Sequence, residues 1–239
     1  MTIRAVLFDV YGTLLRVGPP PADADARWDQ LFRDFFGTPP NLSRLEFSVV
    51  CNQVIARRHG AARARGIPYP EVLWPAVVTE ALPKFAHLPP AQQELFILRQ
   101  MQIGRTLSLQ DGTREVLTFL RERGCVLGIA SNSQAYTLRE LREHLAPAGL
   151  SLDLFDRDVC FWSFAHGFSK PDPHVFQMLT ARLKERGIRS VETLMVGDRL
   201  DNDIEPVRAF GWRTWLLTSS PAAGKPDQGT FSEMLARLR

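Results

Sequence analysis

The chain has 239 residues, of which 45% are hydrophobic, 23% charged and 10% aromatic, a composition typical of globular proteins that excludes disordered and fibrous classes. Twenty-nine basic side chains against 26 acidic ones leave a formal net charge of only +3, which gives little support to nucleic-acid binding. Three widely spaced cysteines, Cys51, Cys125 and Cys160, fit neither a disulfide framework nor a C-x-x-C metal site, so we expect a cytoplasmic protein.

The first predicted element is the apolar run AVLF at residues 5–8. It is too short for a signal peptide or a membrane span, so no membrane partner is expected. It lacks an alternation of apolar and polar residues, which predicts a strand that is buried on both faces of a parallel sheet. Four later runs have the same character, at residues 125–130, 158–162, 193–197 and 212–217.

Helical patterns alternate with these runs. After Asp111, Val116, Leu117 and Leu120 fall on one helical face, and Asp172 can cap a helix that begins at Pro173. Strands that alternate with helices in this way predict an α/β fold, a doubly wound parallel-sheet (Rossmann-like) core of about five strands.

Residues 17–106 break the alternation. They contain no convincing strand and four amphipathic helical segments, at about 22–36, 42–65, 71–82 and 90–105. We therefore predict two domains: an α/β core made of residues 1–16 and 107–239, and an inserted helical cap made of residues 17–106.

Polar side chains follow the predicted strands where the ends of a parallel sheet form a ligand-binding crevice. Asp9 ends the first strand, and Thr13 offers a hydroxyl and a backbone N–H to an anion. Ser131 and Asn132 end the next buried strand, where their hydroxyl and nearby donors can hold phosphate-like oxygens. Lys170 lies just before a proline-started helix, from which its ammonium can reach an anionic site.

The strand at residues 193–197 is followed by three carboxylates, Asp198, Asp201 and Asp203. Such a density of carboxylates suits a hard divalent cation. Asp201 and Asp203 are also compatible with an acidic helix start, whereas Asp198 stands directly at the strand end.

Together these residues resemble the haloacid dehalogenase-like hydrolase superfamily. FDVYGTLL resembles its first motif, IASNS its second, SKPDPHVF its third and VGDRLDND its fourth. The predicted helical insertion also resembles the cap that this superfamily carries after the first strand. The resemblance covers most of the chain.

The resemblance implies a set of roles. Asp9 would be the nucleophile that forms an ester cleaved later by water. Magnesium would be held by Asp9, by the backbone carbonyl of Tyr11 and by Asp198.

The remaining motif residues would support this centre. Ser131 and Lys170 would neutralise the transferring group. Asp203, or Asp201, would orient metal-bound water or the lysine from behind the site. The substrate would be a small molecule, anionic in character.

Tyr11 departs from the phosphatase pattern. Phosphatases of this superfamily have a second Asp at this position, which protonates the leaving alcohol and later deprotonates water. A phenol with a pKa of about 10 is a poor general base at neutral pH. The substrate then needs a good leaving group, or the acid comes from elsewhere.

Tyr11 also supports two alternatives. The D-x-Y-G-T pattern resembles 2-haloacid dehalogenases, in which Asp9 would attack carbon and a halide departs without a proton. Asp198 opposes that reading, because a second carboxylate without a cation would repel an anionic haloacid. A protein that binds a phosphorylated ligand with little turnover is the other alternative. The sequence favours a magnesium-dependent phosphohydrolase and leaves the oligomeric state open.

Overall fold

A computed structural model describes residues 2–221 and 226–239. Within those ranges the strands are β1 (Ala5–Phe8), β2 (Leu15–Gly18), β3 (Thr106–Leu109), β4 (Val126–Ser131), β5 (Cys160–Trp162), β6 (Thr193–Gly197), β7 (Arg213–Leu217) and β8 (Gln228–Gly229). Six of them form a parallel sheet in the order β5-β4-β1-β6-β7-β8. This confirms the predicted α/β Rossmann-like class.

Helices cover both faces of this sheet and fill the long connection after β2. They are α1 (Ala24–Phe36), α2 (Arg44–Arg63), α3 (Trp74–Ala81), α4 (Pro90–Gly104), α5 (Thr113–Glu122), α6 (Tyr136–Leu145), α7 (Ser163–His166), α8 (Pro173–Glu185), α9 (Glu205–Arg208) and α10 (Phe231–Leu238). The Asp172 side chain caps α8 by accepting a hydrogen bond from the His174 amide. None of the described helices is long and apolar enough to cross a bilayer.

The central strand β1 explains why the sheet needs helices on both sides. Val6 and Phe8 pack into a hydrophobic cluster with α5, α6 and α10, whereas Ala5 and Leu7 pack on the opposite face with α8. All four side chains are fully buried. An uninterrupted apolar run therefore has an apolar layer on each face, as expected for a central parallel strand.

The four helices between β2 and β3 have a hydrophobic cluster of their own. Its centre is aromatic: Trp28 contacts Phe32 and Phe47, and Phe96 contacts Phe32 and Phe85, with ring centroids 4.7–5.9 Å apart. The indole N–H of Trp28 has a hydrogen-bond partner, because its Nε1 donates to the Leu42 carbonyl at 2.9 Å. These helices lie within a few residues of the four predicted segments.

Two features of the fold differ from the sequence prediction. Residues 17–106 were expected to contain no strand, but Val17 and Gly18 of β2 pair with Leu107 and Thr106 of β3 in an antiparallel ladder. The sheet has a sixth strand, β8, beyond the five expected. Both elements are short and partly exposed, so neither has the apolar pattern by which buried strands are recognised.

Helix α5 offers a test of the core. Replacing Leu117, which is fully buried, by alanine leaves a cavity against the sheet and lowers the free energy of unfolding by about 2–5 kcal/mol. Leu45→Ala is the matched control, because that side chain is 67% exposed and its loss changes stability by less than about 0.5 kcal/mol. Chemical denaturation measures both variants. Equal stability of the two would contradict the packing described for α5.

Candidate active site

The candidate site lies at the carboxyl ends of the central strands. Asp9 directly follows β1, and its amide donates to the Val196 carbonyl of β6 at 2.9 Å. Ser131 is the last residue of β4, and Asp198 follows β6. Because these strands are neighbours in a parallel sheet, their ends bring together side chains that are far apart in sequence.

Lys170 is the centre of the site. Its side chain is only 2% exposed, and its Nζ lies 2.8 Å from Asp9 Oδ1 and 2.5 Å from Asp203 Oδ1. The two carboxylates thus share one ammonium group in a largely buried position. A buried ion pair of this kind depends on complete pairing, because removing one partner leaves an uncompensated charge and costs about 3–5 kcal/mol.

The charges at the site shift each other's titration. Burial raises the pKa of Asp9 to about 6; Lys170 opposes this increase, and Asp203 and Asp198 add to it. Burial would lower the pKa of Lys170, but the carboxylates of Asp9 and Asp203 outweigh it and raise that pKa above its usual value. Lys170 therefore stays protonated while its partners carry excess negative charge.

Asn132 holds the backbone that carries this lysine. Its amide nitrogen donates to the Lys170 carbonyl at 2.8 Å, and its amide oxygen accepts from the Lys170 N–H at 2.7 Å. The paired hydrogen bonds tie the loop after β4 to the segment before α8. Asn132 thus holds the backbone of Lys170 in place. The sequence pattern did not reveal this contact.

Three carboxylates converge beside the ammonium group. Ligand oxygens of Asp9, Asp198 and Asp203 all lie within 4.8 Å of one another. Burial, followed by the proximity of Asp203, raises the pKa of Asp198 as well. Three carboxylates facing one lysine leave an excess negative charge, and an oxygen-rich donor set of this charge fits a hard divalent cation such as Mg²⁺.

Two glycines make this convergence possible. Gly12 has a positive φ of 83°, and a Cβ added there would overlap the carboxylate of Asp198. A Cβ added at Gly197 would overlap the side chain of Asp203. The absence of side chains at these positions allows backbone and carboxylates to approach closely.

Asp201 and Asp203 separate in the structure. Asp203 is 1% exposed and contacts Lys170, whereas the Asp201 side chain is 66% exposed and pairs with Arg199 at 2.6 Å. Residues 200–204 form a single π-helical turn, which places these two carboxylates on different sides. The sequence left open whether Asp201 or Asp203 orients the lysine. Only Asp203 of these two contacts Lys170.

Two hydroxyl groups at the site have no partner among the described residues. The Oγ1 of Thr13 and the Oγ of Ser131 are both buried and make no hydrogen bond there. Buried hydroxyls are normally satisfied, so each exception calls for an explanation such as a bound water, an ion or a catalytic role. Thr13 lies in the loop between β1 and β2, and Ser131 is the last residue of β4.

Tyr11 is held by residues that the sequence analysis did not single out. Its hydroxyl donates to the buried carboxylate of Glu140 and lies 2.7 Å from Thr137 Oγ1. The Arg105 guanidinium lies 4.2 Å from the centre of the Tyr11 ring and donates to both oxygens of Glu140, at 3.1 and 2.9 Å. Burial raises the pKa of Tyr11 well above its usual value. No motif linked Arg105 or Glu140 to the site, since both depend on tertiary contact.

A cleft of about 770 Å³ opens beside the loop after β1 and Asp198. Its lining includes Tyr11, Gly12 and Asp198 on one side and Thr218 and Ser219, which follow β7, on another. Arg16 also lines the cleft and donates to Gln110 and Asp111. Through Asp198, the cleft reaches the carboxylate cluster.

Comparison with known proteins adds independent findings. A family model described as haloacid dehalogenase-like hydrolase matches residues 3–211. A glyceraldehyde 3-phosphate phosphatase from Pyrococcus abyssi is 35% identical over 103 residues, which are 43% of this chain and 40% of that relative. The chain thus matches less than half the length of this curated relative.

Two solved structures are similar over almost the whole chain. An L-2-haloacid dehalogenase is 23% identical with a TM-score of 0.55, covering 100% of this chain and 99% of that one. The HAD-hydrolase YfnB from Bacillus subtilis, described as bound to magnesium, is 22% identical with a TM-score of 0.55 and covers 100% of each chain. At these identities the similarity shows the fold.

The glycine at position 12 provides a test of the carboxylate cluster. In Gly12→Ala the new methyl group displaces Asp198, so we expect Mg²⁺ affinity, measured by calorimetry, to fall by about 10- to 100-fold. Gly66→Ala is the control, because Gly66 has a similar φ of 86° but nothing within 4 Å of an added Cβ. Both variants have the same left-handed backbone cost, of about 1–2 kcal/mol. Equal Mg²⁺ affinity in the two variants would argue against the proposed ligand geometry.

Proposed function

Since the chain belongs to the haloacid dehalogenase-like hydrolases, we propose that this hydrolase is a magnesium-dependent phosphohydrolase that acts on a small phosphorylated metabolite through an aspartyl phosphate on Asp9. The observation that carries the proposal is the cluster of Asp9, Asp198 and Asp203, in which Asp9 and Asp203 pair with the ammonium of Lys170. The phosphatase relative from Pyrococcus abyssi supports the same reaction class.

Magnesium fits the donor set. Asp9, Asp198 and the backbone carbonyl of Tyr11 would hold the ion, with Asp203 placed to orient the lysine and metal-bound water. When bound, the ion neutralises the clustered carboxylates and polarises the phosphoryl group. The magnesium-bound structural neighbour supports this assignment for the fold.

The chain's own groups perform the remaining tasks. The Asp9 carboxylate is held in place by Lys170, which also contributes positive charge for the phosphoryl oxygens. The buried hydroxyls of Ser131 and Thr13 donate to those oxygens, and the paired hydrogen bonds of Asn132 keep the lysine backbone fixed. A site built on strand ends is rigid enough to align the nucleophile with phosphorus.

We assign the helical residues 17–106 to a cap over this site. The separate aromatic cluster of α1–α4 supports this division. The antiparallel pair of β2 and β3 connects these helices to the core. The predicted boundaries fall within these two strands. In this arrangement the cap selects the substrate and excludes water. The expectation of a cytoplasmic location still rests on the cysteine pattern.

One observation favours a second candidate. Tyr11 is the residue that the 2-haloacid dehalogenase pattern has at this position, and Asp9 would then attack carbon. The convergence of Asp198 and Asp203 on Asp9 weighs against it, because three carboxylates outnumber the single ammonium of Lys170 and repel a haloacid anion unless a metal ion is bound. Halide release from 2-haloacids is the measurement that distinguishes this candidate.

The nucleophile has a direct test. Asp9→Asn removes the attacking oxygen, so magnesium-dependent release of phosphate from 4-nitrophenyl phosphate falls by more than about 10⁴-fold. Asp153→Asn is the control, because that carboxylate is 84% exposed and pairs weakly with Arg157. Thermal unfolding verifies that both variants are folded. Full activity in Asp9→Asn would overturn the proposed nucleophile.

The metal assignment is tested separately from turnover. Asp198→Ser removes a proposed ligand, so we expect Mg²⁺ affinity, measured by calorimetry, to fall by at least about tenfold. Asp201→Ser removes a carboxylate three positions away that pairs with Arg199 at the surface and leaves the affinity unchanged. A loss of affinity in Asp201→Ser but not in Asp198→Ser would show that the ion binds elsewhere.

A further inference from the structure

Among the residues that the structure describes, the cleft has few side chains that can give a proton to a departing oxygen. The residues that line it are Tyr11, Gly12, Arg16, Val17, Gln110, Asp198, Leu217, Thr218 and Ser219. Within this set the ionisable side chains are Tyr11, Arg16 and Asp198. A guanidinium does not release its proton in proteins, and Asp198 belongs to the carboxylate cluster proposed to hold the metal. Among the described side chains that line the cleft, Tyr11 is therefore the remaining acid to consider.

The proton of Tyr11 is already engaged. The phenol donates it to Glu140, a side chain that is 1% exposed and is not part of the cleft lining. Arg105 donates two hydrogen bonds to the same carboxylate and lies over the Tyr11 ring. These contacts fix the ring and the hydroxyl together. The Tyr11 ring thus packs under Arg105, and its hydroxyl proton is used in the hydrogen bond to Glu140.

From this geometry we propose that the physiological substrates are acyl phosphates, whose leaving group departs as a carboxylate and needs no proton. The inference rests on the proposed phosphohydrolase function and specifies its substrate class. A carboxylate has a pKa of about 4 and is stable as an anion at neutral pH, whereas an alkoxide is not. A cleft whose described lining offers no free acid therefore favours a carboxylate leaving group and disfavours an alkoxide.

Both half-reactions balance without a protein acid. In the first, the bond from the Asp9 oxygen to phosphorus forms, and the bond from phosphorus to the acyl oxygen breaks, with its electron pair leaving on the carboxylate. In the second, water forms a bond to phosphorus, and the bond from phosphorus to Asp9 breaks. The proton of water passes to a phosphate oxygen, so the products are the Asp9 carboxylate and dihydrogen phosphate.

The second half-reaction also predicts a kinetic signature. Water attacks without a general base in the place of Tyr11, and the loss of such a base slows a step by about 10²- to 10⁴-fold. The phosphorylated form of Asp9 should then accumulate when an acyl phosphate is supplied. Rapid mixing should show a burst of acyl release equal to the enzyme concentration, followed by slower turnover.

The deciding experiment compares leaving groups on the magnesium-loaded enzyme. We expect kcat/KM for acetyl phosphate to exceed that for glycerol 3-phosphate by at least about 10²-fold, the usual contribution of a general acid. Substituted phenyl phosphates should fall between the two, in order of the pKa of the phenol. Asp9→Asn protein corrects for the spontaneous hydrolysis of acetyl phosphate.

Variants at Tyr11 separate the role of its hydroxyl from that of its position. Tyr11→Asp introduces an acid and should narrow the ratio between acetyl phosphate and glycerol 3-phosphate, mainly by raising kcat/KM for the alkyl ester. Tyr11→Phe removes the hydroxyl but keeps the ring under Arg105, and it should leave the ratio as large as in the original enzyme. Thermal unfolding shows whether both variants are folded. If Tyr11→Asp does not fold, the comparison of the unmodified enzyme with Tyr11→Phe tests the proposal.

The outcomes are distinct. Similar kcat/KM values for acetyl phosphate and glycerol 3-phosphate would overturn the acyl phosphate assignment while leaving the phosphohydrolase function intact. A ratio that grows tenfold or more in Tyr11→Phe would show that the phenol is an acid after all. Phosphate release from none of the compounds, with or without Mg²⁺, would overturn the phosphohydrolase function and the substrate class together.

Discussion

The site depends on one buried ammonium group. Lys170 lies between Asp9 and Asp203 at hydrogen-bond distance from each, in a region where all three side chains are shielded from water. Removing this charge would leave two neighbouring carboxylates unpaired, a situation that low-dielectric surroundings strongly disfavour. The lysine therefore allows the Asp9 carboxylate to stand next to further acidic groups, and the surrounding backbone keeps the lysine in this position.

Close backbone approach is the second constraint. Gly12 turns with a positive φ so that the loop after β1 passes against Asp198, and Gly197 allows Asp203 to pack against the end of β6. The paired hydrogen bonds of Asn132 bring Lys170 to the same point from the other side. The carboxylate cluster, Lys170 and the loop after β1 are consequently parts of one packed unit.

Tyr11 links this unit to the inserted helices. Its hydroxyl contacts Glu140 on α6, and Glu140 in turn binds Arg105, which immediately precedes β3 at the end of the inserted helices. The same contacts that fix the loop after β1 thus also fix one end of the insertion. In the proposed phosphohydrolase, this tyrosine would stabilise the junction where a carboxylate would be free to act on the substrate.

The sequence by itself determined the fold class and the residues at the strand ends. Uninterrupted apolar runs such as AVLF can be recognised because a strand buried on both faces has no polar positions, and Asp9 and Asp198 follow such runs directly. The short antiparallel pair of β2 and β3 escaped recognition, since its pairing joins residues on either side of the insertion and only half of its residues are apolar.

Only the tertiary structure decided which side chains meet. The choice between Asp201 and Asp203 depended on the turn at residues 200–204, and no spacing rule gives its geometry. The partners of Tyr11, Glu140 and Arg105, lie on separate elements and carry no local signal. Periodicity and strand ends are local properties of a chain, whereas hydrogen bonds between distant segments exist only once the core has packed.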